Sequence, residues 1–593
     1  MKKKIVAMQL SLLMVLLLIL TEAFGIRAYA ADKTLASGLA YDQVDSAIKE
    51  FIEERKETTA GLAYIVFTED EDLSRGLYGY QDIENQIPVS EDTVFEWGSG
   101  SKVLIWVCVM QAKERGLIDF DTDINEYLPE GFLSNRKYDD KITMIDLMNH
   151  SAGFQDVAAD LNIDDPTYFA NLEEALSAHK PDQIYQPGTI NSYSNWGSAL
   201  AAYIVGRVNG MEYCDYVHKN IFEPLGMEHS ALYIDLSDNP WVQENRKKLV
   251  SYNTDLSIKP YSAAFKYIAL YPAGRCASTF GDYEKFAKAM LREDERIMSK
   301  ETWEEMYTPT DYFADTGVPK NYHGLWGVYF AVPTIGHIGR TSGCSNYLLM
   351  DRQNKVASLF VSNQGQDLEY TENIRPLLYG DYSYSNYATM PDLPKASYQN
   401  STTIENGAFK FYGFYAGILT PFNVDNEFWA VSKMGDRTVV ERSYFDFAEE
   451  PAGKMAFEVG LVLIMAILAL IGIVSLICRL ILCLIRLVKR DKTKRKLALW
   501  STVGCILPLC SVLLYFYAQS SLKTTSNHYV WAFAVIAILA LIMIGMIIYG
   551  CMKNISADGI TKSQKVYNFF VAVLLVVAVV FVCYWQMFMF WKI

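Results

Sequence analysis

Two hydrophobic patterns divide the chain. Up to about Lys454, apolar and polar residues alternate at helix and strand periods; from about Val459 onward Leu, Ile, Val and Ala dominate. Tyr41 to Arg55 carries the spacing of an amphipathic helix. Gly61 to Phe67 is apolar and β-prone, and Gly76 to Tyr80 follows an acidic turn, which predicts a hairpin. Ser99 to Arg115 opens on a near-continuous apolar run, Val103 to Val107, and predicts a buried helix. The section from Asp121 to Met298 reads as mostly helical with polar loops. Strand signals return at Gly327 to Val332. Asn346 to Met350 and Lys355 to Ser362 then form a hairpin through Asp351-Arg352-Gln353-Asn354. Strands at both ends with helices between predict an α/β fold. Its antiparallel sheet is assembled from distant parts of the chain around an inserted helical subdomain.

The ends read differently. Lys2, Lys3 and Lys4, the apolar run Ile5 to Leu20 and the small residues Ala28-Tyr29-Ala30 have the pattern of a signal peptide over residues 1–30. The main folded domain is expected at 31–390. Residues 391–454, with Gly413, Gly417, Pro421 and several aromatics, read as an accessory segment or structured linker. The tail, 455–593, offers four candidate membrane spans at about Val459–Ile477, Leu497–Tyr517, Val530–Tyr549 and Phe569–Phe588. Arg486, Lys489, Arg490, Lys492, Lys494, Arg495 and Lys496 follow the first span and belong on the cytoplasmic side. The part before the tail is therefore expected outside the cell, on a bacterial membrane, with the lipid bilayer as a partner.

Charge and cysteine usage narrow the function. The net charge of −15 sits with the first part, because the tail carries more Lys and Arg than Asp and Glu. An acidic exported part has no electrostatic footprint for nucleic acid and points to a small-molecule or peptide substrate. Of ten cysteines, Cys108, Cys214, Cys276 and Cys344 lie before the tail, widely spread and without ligand spacing. No metal and no cofactor are expected.

The chemistry rests on three short motifs in order: Ser99-Gly100-Ser101-Lys102, Tyr193-Ser194-Asn195 and His337-Ile338-Gly339. A serine hydroxyl is a weak nucleophile until a base takes its proton. In Ser-x-x-Lys the two side chains lie one helical turn apart. A lysine buried in an apolar helix has a lowered pKa and serves as a base. Each motif alone is weak. Ser46/Lys49, Ser177/Lys180 and Ser520/Lys523 repeat the first, but only Ser99/Lys102 follows a Gly and opens a long apolar helix. Tyr384/Asn386 and Tyr398/Asn400 repeat the second, but only Tyr193 follows Pro187-Gly188-Thr189 and precedes a small-residue helix.

The stretch Phe95-Glu96-Trp97-Gly98-Ser99-Gly100-Ser101-Lys102 resembles the nucleophile segment of the serine β-lactamase/penicillin-binding-protein superfamily, in its class C-like branch. Further segments match in order: Ile142-Thr143 through His150-Ser151-Ala152-Gly153, Pro187-Gly188-Thr189 through Tyr193-Ser194-Asn195, Pro272-Ala273-Gly274 with Ser278-Thr279, and Gly336-His337-Ile338-Gly339 with Thr341 and Gly343. The resemblance spans roughly Asp45 to Leu378. It implies Ser99 as the acylated nucleophile, Lys102 and Tyr193 sharing acid and base work, and Asn195 orienting Lys102 and the substrate amide. It also implies an oxyanion hole from the backbone N–H groups of Ser99 and Arg340. His337 stands where many relatives carry lysine, which weakens recognition of a β-lactam carboxylate. Arg340 and Cys344 also depart from the usual residues. The tail resembles that of the colibactin-maturation type of peptidase, although that type has three tail helices.

The expectation is thus a membrane-anchored serine hydrolase cleaving an amide or ester through an acyl-enzyme. Peptide, D-amino-acid and acylated natural-product substrates all fit. The alternatives are a β-lactamase or D,D-peptidase, a non-turnover β-lactam sensor, and a degenerate structural relative.

Overall fold

The computed structural model describes residues 33–589 apart from 135, 157–161, 179, 258–266, 383, 390–391, 393–395, 403–406, 420–427, 489–495, 521–528 and 557–561. The signal-peptide expectation and most of the basic loop after the first tail span lie outside the described residues.

Helix α1 (Val44–Glu53) buries Val44, Ile48 and Ile52 at the i, i+4, i+8 spacing read from the sequence. It covers one face of a nine-stranded antiparallel sheet. In chain order the strands are β1 (Gly61–Thr68), β2 (Asp72–Asp82), β3 (Ile87–Pro88), β4 (Asp311–Tyr312), β5 (Pro319–Tyr322), β6 (Leu325–Tyr329), β7 (Pro333–Arg340), β8 (Ser345–Asp351) and β9 (Val356–Ser362). Across the sheet they run β3-β2-β1-β9-β8-β7-β6-β5-β4. The first three strands thus meet the last six through β1 and β9, with Leu62 opposite Ser362 and Thr68 opposite Val356. Strands β1, β8 and β9 are buried along their whole length, because helices cover both faces.

The other face of the sheet carries the main core. Helix α2 (Ser101–Glu114) has every residue from Ser101 to Ala112 buried. A helix apolar on all sides must lie inside the protein, and α2 packs between the sheet and α3 (Asn195–Asn209). Helix α3 starts on Ser194, whose side chain accepts from Gly197 N, and ends on left-handed Gly210. Helix α4 (Phe280–Arg292) is likewise capped by Thr279.

The middle section departs from the expectation. Its helices are mostly short, and Val94–Glu96, Ser230–Ala231 and Ala277–Thr279 form a small antiparallel sheet. Strands of two or three residues are too short to show a period of two.

Residues 397–450 fold as a second, four-stranded antiparallel sheet. Its strands are β10 (Ser397–Asn400), β11 (Ala430–Met434), β12 (Arg437–Glu441) and β13 (Phe447–Glu450), in the order β10-β13-β12-β11. Helix α6 (Lys410–Leu419) lies within the same segment, after α5 (Arg375–Tyr379) of the larger unit.

Among the described residues the tail forms four helices: α7 (Ala452–Val488), α8 (Lys496–Ser520), α9 (Val530–Ser556) and α10 (Lys562–Tyr584). Among the described residues, three are long and apolar enough to cross a membrane: Ala452–Cys478 in α7, Val530–Met552 in α9 and Lys565–Tyr584 in α10. The fourth expected span falls on α8, where the described side chains form an apolar helical stretch over Val503–Gln519. On α7, Leu463, Ile467, Leu470, Val474, Ile477 and Leu484 all face outward. An exposed apolar face of that size exceeds what a soluble surface carries.

Candidate active site

The polypeptide reaches the site through a tight turn. Strand Val94–Glu96 ends at Trp97, a 3-10 turn spans Gly98–Gly100, and α2 begins at Ser101. Ser99 therefore sits at the mouth of a buried helix. Gly98 adopts φ +51°, and a Cβ there would lie 2.8 Å from Arg340 N. On the facing strand β7, a Cβ on Gly339 would lie 1.9 Å from Trp97 O. Only glycine permits this approach, which sets the Arg340 backbone beside the Ser99 turn.

Lys102 is one turn into α2 and fully buried. Its Nζ lies 3.3 Å from Ser99 Oγ, 2.8 Å from Asn195 Oδ1 and 2.7 Å from Ala273 O. Burial pulls its ammonium down to about 7, against a weaker opposing pull from Asp156. A neutral amine has two N–H groups and one lone pair. Asn195 and Ala273 accept the two N–H groups, which leaves the lone pair for the Ser99 hydroxyl.

Tyr193 donates its hydroxyl to Ser99 Oγ at 2.7 Å. Burial pushes this phenol well above its ordinary value, so it holds its proton at neutral pH. The ring packs 4.5 Å from that of His150 and 6.0 Å from that of Trp326. His150 Nδ1 accepts from the backbone N–H of Ser194, next to Tyr193. Ser99 Oγ thus accepts a hydrogen bond from Tyr193 and lies within reach of the Lys102 amine.

His337 lies on β7 with its ring stacked on Trp326 at 3.9 Å. Its Nδ1 is 2.7 Å from Ile338 O, so that nitrogen carries the hydrogen and Nε2 carries the lone pair. Burial, then the Lys102 charge, pulls its pKa down to about 3. The imidazole is neutral and presents an acceptor, not a positive charge. The Arg340 side chain turns away to Glu372, at 2.7 Å and half exposed.

The motifs thus converge: Ser99, Lys102, Tyr193 and Asn195 share one hydrogen-bonded cluster, with His337, Gly339 and the Arg340 backbone on the adjoining strand. The sequence reading missed a supporting network. Glu96 is buried with Arg246 Nη2 at 2.8 Å and Arg275 Nη1 at 3.6 Å, and it accepts from Thr341 Oγ1. The two guanidiniums, with the Thr341 hydroxyl, hold its carboxyl below the usual range despite burial. This network joins the turn before Ser99 to the residue after Arg340. The one local signal is an acid between Phe95 and Trp97.

Apart from the site, Cys214, His218 and Asp238 come together within metal-ligand reach. The cluster is internally satisfied. Asp238 accepts from His218 Nε2 at 2.7 Å, from Cys214 Sγ at 3.4 Å, and from the backbone of Leu232 and Tyr233.

Comparison with known proteins agrees on the class. Residues 44–378, more than half of the chain, match the family model described as Beta-lactamase. The chain belongs to the beta-lactamase family, whose members are mostly hydrolases. It is 28% identical over 265 residues to the Putative penicillin-binding protein PbpX of Bacillus subtilis, covering 42% of this chain and 59% of that protein. It is 23% identical over 319 residues to Penicillin-binding protein 4* of the same organism, covering 50% of this chain and 66% of that protein. The chain thus matches less than two thirds of the length of either relative. Among solved structures, the octameric penicillin-binding protein homologue from Pyrococcus abyssi aligns with a TM-score of 0.47 at 21% identity, over 68% of this chain and 88% of that one. The D-amino acid amidase from Ochrobactrum anthropi aligns with a TM-score of 0.45 at 22% identity, over 56% and 96%.

Two predictions follow from the geometry. The lone pair of Lys102 is lost when the amine gains a proton below about 7. Acylation should therefore fall about tenfold per pH unit on the acid side and level off above pH 7. The rate of covalent labelling measured from about pH 5 to pH 9 tests this; a flat profile contradicts it. Gly339→Ala forces a methyl against the Trp97 carbonyl and should cost roughly 1–3 kcal/mol or more. Thermal melts of the full chain in detergent should show the loss, and an unchanged midpoint would contradict the packing.

Proposed function

We propose that this chain is a membrane-anchored serine hydrolase that cleaves an amide or ester outside the cytoplasm. Ser99 is the nucleophile, Lys102 its general base and Tyr193 the proton donor to the leaving group. The observation that carries the reading is the pair of contacts on Ser99 Oγ, from Tyr193 at 2.7 Å and Lys102 at 3.3 Å.

In the first step the Ser99 hydroxyl passes its proton to Lys102 Nζ as Oγ bonds to the substrate carbonyl carbon. The oxyanion takes the backbone N–H groups of Ser99 and Arg340. Collapse expels the amine or alcohol, which takes a proton from Tyr193, and Lys102 restores the tyrosine. Water then attacks the ester by the same route in reverse. Asn195 keeps the lysine amine turned toward Ser99. His337 Nε2 offers an acceptor for a substrate N–H.

The neutral His337 also bears on substrate class. A β-lactam presents a carboxylate, and this strand supplies no fixed positive charge, since Arg340 is engaged by Glu372. Peptide or ester substrates fit better, including those with D-amino acids or an acylated natural-product leader. Kinship with penicillin-binding proteins keeps cell-wall peptides within the same class. The outward apolar face of α7 supports the anchored reading.

Ser99→Ala should abolish fluorophosphonate labelling and turnover, while Ser101→Ala keeps labelling. Lys102→Ala and Tyr193→Phe should each cost on the order of two to four decades in rate. The deciding comparison is kcat/KM for nitrocefin against acyl-D-amino-acid amides on the full chain. Efficient nitrocefin turnover without amide or ester cleavage would make the protein a β-lactamase.

Topology has its own test. A cysteine placed at Lys494, in a background with the tail cysteines replaced by serine, should escape an impermeant thiol reagent on intact cells. Labelling there would reverse the orientation.

A further inference from the structure

The turn between β12 and β13, residues 442–446, reaches from the accessory sheet into the site. Tyr444 stands edge-on to Trp326 with ring centroids 4.3 Å apart. Trp326 is the ring stacked on His337 and packed near Tyr193. Ser443 Oγ donates to Gly327 O at 2.9 Å, which ties the turn to β6 beside Trp326.

The same turn grips the segment that carries Tyr193. Asp446 Oδ2 accepts from Asn191 N at 2.7 Å, and Asp446 N donates to Asn191 O at 3.0 Å. Ser192 Oγ donates to Ser401 O at 3.0 Å, and Ser401 Oγ donates to Asn191 O. Asp446 is itself fixed by Lys320 Nζ at 2.6 Å, both side chains being at most 2% exposed. Glu441 stands 3.9 Å from Lys320 on the other side. A buried ion pair is a weak source of stability, but it holds its partners in one arrangement. Here the arrangement held is the backbone two residues before Tyr193.

We infer that this turn is a working part of the active site. Asp446 acts as a positioning residue for Tyr193, and Tyr444 extends the Trp326–His337 wall to receive an aromatic or apolar side chain of the acyl group. The inference rests on the serine-hydrolase reading of Ser99. It assigns residues 391–454 more than a linker's role. The ring planes of Trp326 and Tyr444 meet at 71°, and an aromatic substrate ring packed against them gains about 0.5–1.5 kcal/mol over a small aliphatic group, or roughly 2- to 12-fold.

The test uses the full chain in detergent micelles, with phenylalanine and alanine p-nitroanilides in both D and L forms as substrates. Tyr444→Ala should lower kcat/KM for phenylalanine by about tenfold through KM and for alanine by less than about threefold. Equal losses on both substrates would overturn the specificity role. Asp446→Asn keeps the shape but removes the charge that fixes the turn. It should slow fluorophosphonate acylation and lower kcat by about tenfold or more, with KM little changed. Asp446→Glu should restore part of the rate. Labelling within about twofold of wild type by folded Asp446→Asn protein would overturn the positioning role. Should that variant not fold, Ser401→Ala removes one bond to Asn191, leaves the ion pair in place and carries the same two outcomes. Loss of labelling specificity for Ser99 would sink the hydrolase reading itself. Wild-type behaviour of the turn variants with Ser99 still labelled would sink this inference alone.

Discussion

Everything at the site depends on placing a lysine amine where water does not reach it. Lys102 is carried by a helix that is buried on every side, so its charge has no solvent to stabilise it. Dehydration draws its pKa down from an ordinary lysine value to about 7. Such burial is costly unless the amine's hydrogens are used. Asn195 from α3 and the carbonyl of Ala273 use them. Those two acceptors are supplied by different parts of the inserted section, which therefore has to be packed before the amine is correctly turned. The same low-dielectric surroundings keep Tyr193 protonated and His150 and His337 neutral. One donor, one base and a neutral imidazole on the adjoining strand follow from a single cause.

The second constraint is steric. Strand β7 must run against the turn before Ser99 closely enough for the Arg340 backbone to face it. Gly98 and Gly339 remove the side chains that would intervene. Glu96, Arg246, Arg275 and Thr341 then hold the two pieces of chain together from behind. A buried carboxylate between two guanidiniums is tolerated because its opposite charges lie within a few ångströms, and removal of one partner would leave the others unpaired. Glycines bring the pieces together, and charge keeps them in register.

What was legible in the sequence follows from the range of each interaction. The helix at Ser99, the burial of Lys102 and the hairpin after β7 were readable, because spacing and apolar runs are local signals. The order of the three motifs allowed Tyr193, Asn195 and His337 to be placed beside them. Ala273 was not readable as an acceptor, since it contributes a carbonyl that every residue possesses. The Glu96 network joins residues about 150 to 245 positions apart, which no window detects. Arg340 was visible only as a departure from the usual residue, and its side chain is taken by Glu372. The small strands and the accessory sheet stayed hidden because strands of two to five residues show no period. The tail was legible as apolar helices, because long runs of Leu, Ile, Val and Ala are a local signal.

The described parts of the accessory segment touch both the site and the tail. Strand β13 is separated from α7 by Pro451 alone. Helix α6 enters the tail bundle, where Phe411 meets Tyr515, Phe581 and Trp585, and Tyr412 N donates to Tyr515 Oη. At its other end the same segment holds Asn191 and touches Trp326. A flexible linker would let the hydrolase unit tumble over the surface that anchors it. A segment packed at both ends fixes its orientation instead. On the anchored reading, the mouth of the site keeps one direction relative to the bilayer. A substrate presented at the membrane face then meets the site without a further rotational search, a saving in orientation of the kind that speeds any reaction between held partners. On that reading the apolar face of α7 and the aromatic wall at Trp326 are coupled through the contacts of Tyr444, Asp446 and Phe411, residues of a segment that looked least informative in the sequence.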